Sequence, residues 1–195
     1  AFLQGPCARF GIETTLVDGH VPGAFSDAVR PGKTMMVLAE TPSNPRLDLV
    51  DLDELGALRG PITVVDSTLA TPLGQRPLDH GVHISLHSAT KGIAGHNDAT
   101  LGVISGEKDL LDAIWAYSVL HGAVPSPFDA LNALRGVRTL SVLDPEAPLK
   151  TSLHLLDDRT LDPAGWREVF EVLELWSRLR GYFEEPTCAD HRKED

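Results

Sequence analysis

With 195 residues the chain can bury one good core with an appendage, and its 28 acidic against 17 basic residues, a formal net charge of −11 at pH 7, exclude the basic face that nucleic acid requires. No apolar run reaches membrane-spanning length, and Ala1-Phe2-Leu3-Gln4-Gly5-Pro6 lacks the basic opening of a signal peptide, so no membrane partner is expected. The two cysteines, Cys7 and Cys188, form no disulfide framework and fit a reducing, cytoplasmic setting.

Taken in chain order, Ile12 to Val17 and Thr34 to Ala39 are β-like runs, the second bounded by Pro31-Gly32 and Pro42, and both are expected as strands. Asp51 to Arg59 carries leucines at 52, 55 and 58 behind an acidic start, the pattern of a short amphipathic helix stopped by Gly60-Pro61. Ile62 to Val65 is nearly all apolar, as in a strand buried on both faces of a parallel sheet, and it delivers Asp66 at the end where such sheets bind ligands. The connection to the next strand, His83 to His87, is long enough for a parallel crossover. Lys91 then falls in the loop leaving that strand, at the same sheet edge as Asp66. Ala99 to Ser105 reads as a further strand, and Lys108 to Leu120 and Phe128 to Leu140 read as helices, the second ending in the basic turn of Arg135 and Arg138. Beyond Ser141, Asp144-Pro145-Glu146-Ala147-Pro148 and Asp157-Asp158-Arg159 interrupt the pattern. Trp166 to Phe183 regains helical character, and Asp190 to Asp195 is a solvated end.

The chemistry concentrates in Asp66-Ser67-Thr68-Leu69-Ala70-Thr71-Pro72 and His87-Ser88-Ala89-Thr90-Lys91. An acid and a lysine placed this way suit opposite ends of pyridoxal 5'-phosphate (PLP): the lysine amine forms an imine with the aldehyde, while the carboxylate keeps the ring nitrogen protonated. Ser88 and Thr90 supply hydroxyls that can donate to phosphate oxygens. Plainer roles exist: a surface lysine for Lys91, a helix N-cap for Asp66, and a turn residue before Pro45 for Asn44. His83 and His87, four apart on a strand, share one face, but no Cys, Asp or Glu joins them at ligand spacing, so no metal site is expected. Tyr117, Tyr182 and the three tryptophans are expected to pack.

Together with Glu40-Thr41-Pro42-Ser43-Asn44-Pro45, Gly95-His96-Asn97-Asp98, Ser126-Pro127-Phe128-Asp129-Ala130 and Leu134-Arg135-Gly136-Val137-Arg138-Thr139-Leu140, these blocks closely resemble the Cys/Met-metabolism family of PLP enzymes from about residue 9 to about residue 141. The resemblance implies an α/β fold, the central part of a fold-type I (aspartate aminotransferase-like) large domain with a mainly parallel sheet flanked by helices. Residues 1–141 would be a partial PLP-binding domain and 142–195 an unassigned, partly helical tail. It implies Lys91 as the Schiff-base lysine, Asp66 at the ring nitrogen, Ser88 and Thr90 at the phosphate and Asn44 at the phenolic oxygen. Ser67 stands where the family commonly has asparagine, and Gly92 where an aromatic residue often follows the lysine.

By the same resemblance the activity would be β- or γ-elimination, or γ-replacement, on cystathionine, methionine or an O-acylhomoserine, in a homo-oligomer. Family members are roughly twice as long. Their glycine-containing phosphate loop, ring-stacking tyrosine, partner-derived Tyr-x-Arg pair and carboxylate-binding arginine fall outside the matched segment, so the chain is expected to be a piece with reduced or absent activity of its own. The alternatives are a noncatalytic remnant that folds against another chain and a generic α/β ligand-binding domain without PLP.

Overall fold

The computed structural model describes residues 3–140. The expectations for Trp166 to Phe183, for the 142–195 tail and for Cys188 lie outside those residues.

Four strands, β1 (Met36–Glu40), β2 (Ile62–Asp66), β3 (Ile84–Ser88) and β4 (Gly102–Gly106), make one sheet in the order β1-β2-β3-β4. β1, β2 and β3 run parallel, as the crossover lengths require, and β4 returns antiparallel to β3. The register sets Glu40 beside Asp66 and Asp66 beside Leu86, so the acidic ends of β1 and β2 stand level at one edge. Around the sheet lie α1 (Pro6–Arg9), α2 (Ala24–Ala28), α3 (Leu52–Ala57), α4 (Thr71–Gly74), α5 (Lys108–His121) and α6 (Pro127–Leu140), with a 3-10 turn at Pro77–His80. Among the described residues, no helix is long and apolar enough to cross a membrane.

Three strand expectations are corrected. Ile12 to Val17 forms no strand: among the described residues its β-branched side chains have no neighbouring strand to pair with, and propensity without a partner does not make a ladder. Thr34 to Ala39 becomes Met36–Glu40, starting two residues later and ending one later, because Met36 is where pairing with Ile62 begins, and Ala99 to Ser105 becomes Gly102–Gly106, because pairing with Ser88 begins at Gly102.

The sheet face toward α2 and α3 holds the core, with Val37 and Ala39 of β1, Val65 of β2, Phe25 of α2, Leu55 and Leu58, and Val82. α3 starts where the sequence indicated, since the Asp51 carboxylate accepts from the backbone N–H groups of Asp53 (2.9 Å) and Glu54 (3.2 Å). It ends earlier than Arg59 because Leu58 is extended, and the Arg59 guanidinium instead donates to the carbonyls of Gly56, Ala57 and Leu58. Gly56 lets α3 lie directly on the 3-10 turn; a Cβ there would stand 1.8 Å from the His80 carbonyl oxygen. The other sheet face is covered at its centre, where Val64 and Ile84 are buried, but leaves Met36 49%, Leu38 44% and Ile104 43% exposed.

Glu54 ties α3 to the start of α2: its carboxylate accepts from the N–H of Gly23 (3.0 Å), the N–H of Ser26 (3.0 Å) and the Ser26 hydroxyl (3.1 Å). Desolvation works to raise its pKa, but these donors outweigh it and hold the group below the ordinary glutamate value. A pKa lower in the fold than in the unfolded chain means stability that is complete above the ordinary value and lost as pH falls through the folded one. Glu54→Gln is therefore expected to cost about 1 kcal/mol near neutral pH, the usual worth of a lost cap, and to flatten the acid limb of the stability profile. Urea melts of both proteins across the acid range check this; parallel pH profiles would contradict it.

Candidate functional site

Every residue singled out for PLP chemistry lies at the carboxyl edge of the parallel strands. Asp66 closes β2, Ser88 closes β3, Lys91 follows three residues later, and Asn44 sits in the loop leaving β1. The loop after β1 is fastened to this edge by the Thr41 N–H, which donates to the Asp66 carbonyl at 3.0 Å, and by the Thr41 hydroxyl, which accepts from the Val50 N–H at 3.1 Å. Asn44 is exposed, and its side chain has no hydrogen-bond partner among the described residues.

Asp66 and Ser88 are joined through Thr68, a residue the sequence reading passed over. Asp66 Oδ1 accepts from both the Thr68 N–H (3.0 Å) and the Thr68 hydroxyl (2.5 Å), and the Thr68 hydroxyl oxygen accepts from the Ser88 N–H at 2.7 Å. The signal for the first half of this link was present, since an Asp two residues before a Thr is a ready Asx turn. The second half spans twenty residues and needed the β2/β3 pairing. Thr68→Val leaves the part-buried Ser88 N–H without its acceptor and removes the hydroxyl bond to Asp66 while keeping the one from the Thr68 N–H, and is expected to lower stability by about 1–3 kcal/mol, whereas Thr68→Ser keeps the hydroxyl and most of the stability. Thermal melts of the two variants read this directly; equal losses would assign the effect to the methyl group.

Thr90 does not offer a free hydroxyl. Its Oγ1 accepts from the Leu101 N–H at 3.0 Å and donates to the Leu101 carbonyl at 3.4 Å, a carbonyl that the Thr90 N–H also serves at 3.3 Å. The long donor bond is the one that can be given up, so the hydroxyl hydrogen can turn to an anion while its oxygen keeps the Leu101 N–H. The Lys91 backbone is set in a tight turn, its N–H donating to the Ser88 carbonyl (3.0 Å) and its carbonyl accepting from the Gly95 N–H (2.9 Å). Among the described residues its Nζ has no hydrogen-bond or ion-pair partner.

Glu40 is the second residue missed at this edge, although an acid closing β1 level with the acid closing β2 follows once parallel pairing is assumed. Desolvation against the strand ends raises its pKa, the Asn44 N–H pulls it down, and the Asp66 charge raises it again. On the opposite face of β3, His87 Nε2 lies 3.3 Å from the Ser85 hydroxyl; burial lowers its pKa against the opposing field of Asp66 and the Ser67 backbone. His83 is outside β3 and its Nδ1 accepts from the Thr63 N–H at 3.1 Å, so the two histidines do not act together. A hollow of about 410 Å3 lies at the far edge of the sheet, lined by Leu78, Gly81, Val82, His83, Gly106 and Glu107, none of which was singled out for PLP chemistry.

The donor set fits PLP by its chemistry. Among the described residues, Asp66 has one oxygen bound by Thr68 and the other without a partner and so available to a ring N–H, Lys91 has an amine without a partner, and Ser88 and Thr90 have hydroxyls for a phosphate.

Comparison with known proteins agrees with this chemistry. The model of the Cys/Met metabolism PLP-dependent enzyme family matches residues 1–144. The chain is 39% identical over 148 residues to an L-methionine gamma-lyase of Porphyromonas gingivalis, covering 73% of this chain and 37% of that protein. It is 41% identical over 143 residues to a cystathionine gamma-lyase of Dictyostelium discoideum, covering 69% and 36%. Among solved structures, a cystathionine gamma-lyase from Lactobacillus plantarum complexed with L-serine superposes with a TM-score of 0.67 at 31% identity, over 72% of this chain and 38% of that one. A methionine gamma lyase from Micromonospora echinospora superposes with a TM-score of 0.65 at 38% identity, over 72% and 40%. The chain thus spans little more than a third of the length of the curated relatives it matches.

Proposed function

The chain belongs to the Cys/Met metabolism family of PLP-dependent enzymes, and from that premise we propose that residues 1–141 form part of the cofactor-binding domain of a lyase acting on a sulfur amino acid. One observation carries this function above others: the hydrogen-bonded line from Asp66 through Thr68 to Ser88, with Lys91 three residues beyond, its amine without a partner among the described residues. PLP, when bound, supplies an electron sink for negative charge developing at the substrate Cα. Asp66 would hold the proton on the ring nitrogen, Ser88 and Thr90 the phosphate, and Asn44 the phenolic oxygen. Lys91 would hold the aldehyde carbon and, when released from it, move the Cα proton. Methionine and cystathionine are the preferred substrates, because the relatives described above include methionine and cystathionine gamma-lyases.

A second role, as a noncatalytic part that works only against another chain, is favoured by the exposed apolar face of Met36, Leu38 and Ile104. Spectra and turnover separate the two. Purified chain mixed with PLP is expected to develop the visible band of lysine-bound cofactor, erased by borohydride, but to release little 2-oxoacid and ammonia from methionine, cystathionine or O-acylhomoserines. Absence of the band would overturn the cofactor assignment. Robust Lys91-dependent turnover would remove the noncatalytic role.

A further inference from the structure

Two blocks that carry the family likeness, Ser126–Ala130 and Leu134–Leu140, have no part in the site as described. Both lie on or against α6, and one side of this helix fastens the loop 91–100. The helix is itself firmly started: the Ser126 hydroxyl accepts from the Asp129 N–H at 3.1 Å and donates to Asp129 Oδ2 at 2.6 Å. The other oxygen, Asp129 Oδ1, then accepts from the Thr100 N–H at 2.9 Å. One turn on, Asn132 Nδ2 donates to the Asp98 carbonyl at 2.8 Å, and Arg135 pairs with the Asp98 carboxylate. At Gly136 the helix backbone lies on the loop itself, since a Cβ there would stand 2.3 Å from the Ile93 carbonyl oxygen and 2.4 Å from that of Ala94. Ala133, Gly136 and Leu140 are the buried residues of α6, and their spacing puts them on the same side as these ties.

The loop so held has Lys91 at its start. Its base is closed by the Thr90 and Leu101 bonds, and its interior by the Ala94 N–H to the Ala89 carbonyl (2.8 Å) and the Gly95 N–H to the Lys91 carbonyl (2.9 Å). Ala89 and Ala94 are fully buried. Ala94, the second of the two residues whose carbonyls lie against position 136, therefore directly precedes Gly95, whose N–H holds the Lys91 carbonyl.

We propose that α6 is the positioning element of Lys91: Gly136 lets the helix press on the Ile93 and Ala94 carbonyls, the Asp98 and Thr100 ties hold it there, and the loop presents the lysine in one place. This rests on Lys91 being the cofactor lysine. A side chain at 136 would push helix and loop apart, because the three atoms nearest to it, the Ile93 and Ala94 carbonyl oxygens and the Ala94 Cα, are all backbone and none can turn aside. Displacement of a reacting group by an ångström costs about 100-fold in the step it performs, so loosening this loop should be felt at Lys91 before it is felt in the core.

The test compares the unsubstituted 195-residue chain with Gly136→Ala. Hydrogen exchange without cofactor should show the Ala94 and Gly95 amides exchanging about tenfold faster or more in the variant, and PLP titration should show a similar loss of affinity. β2 amides should keep their protection. If Gly136→Ala does not fold by circular dichroism, the paired Asn132→Ala and Arg135→Ala change, which removes both Asp98 ties at the surface, carries the same two readouts. Unchanged exchange in a folded variant, or faster exchange with unchanged affinity, overturns the proposal. Absence of lysine-bound cofactor in the unsubstituted chain overturns the cofactor assignment and the proposal with it, whereas a normal band there with an indifferent variant overturns the proposal alone.

Discussion

Lys91→Ala is expected to abolish the visible band of lysine-bound cofactor altogether while leaving the fold intact. The chain has five lysines, Lys33, Lys91, Lys108, Lys150 and Lys193. Among the described ones, Lys33 is exposed far from the acidic strand ends, and Lys108 is paired with Asp112 on the surface of α5. Lys91 alone follows a strand that ends beside Asp66, with its backbone held on both sides and its amine unengaged. The side chain contributes no hydrogen bond or ion pair among the described residues, so truncating it should change the melting temperature little. Borohydride reduction followed by peptide mapping gives the positive half of the test: the pyridoxyl group should be found on Lys91 in the unsubstituted chain. A label on any other lysine, or a band that survives Lys91→Ala, would sink the assignment.

Much of this site was legible in the sequence because its main residues end apolar runs. Asp66 closes Ile62–Val65, and Lys91 follows the run that becomes β3, so a parallel pairing of the two strands already brought acid and amine to one edge. The boundaries were less secure. β1 begins two residues later than Thr34–Ala39 because pairing with Ile62, rather than propensity, decides where it starts. Ile12–Val17 has the composition of a strand and no partner. The very short helices at Pro6–Arg9, Ala24–Ala28 and Thr71–Gly74 are too brief for periodicity to announce them. Thr68, Glu40 and the ties of α6 were hidden for a different reason: each acts across 20 to 37 residues of chain, as in Thr68 to Ser88 and Arg135 to Asp98, and such pairings exist only once the strands are registered.

Asp66→Asn is expected to leave stability within about 0.5 kcal/mol and to lower kcat by on the order of 10²–10³, the usual cost of removing one electrostatic stabiliser from an active site. The asymmetry follows from how the two carboxylate oxygens are used. Oδ1 accepts from the Thr68 N–H and hydroxyl, and an amide oxygen can do the same, so the line to Ser88 survives the change. The backbone bond from the Thr41 N–H to the Asp66 carbonyl is untouched. Only the second oxygen changes character, from an acceptor carrying negative charge to an N–H₂ donor that would face the ring N–H of the cofactor and repel it. Glu40 supplies an independent readout, because the Asp66 charge is one of the influences that raise its pKa; loss of that charge should move the Glu40 titration downward even without cofactor. The kinetic arm belongs in a full-length relative carrying this segment, with melting curves measured beside turnover. Unchanged kcat there would remove Asp66 from the mechanism. A fall in kcat matched by collapse of the melting temperature would instead make Asp66 a residue of the fold, held by Thr68 for the sake of the loop and not of the cofactor.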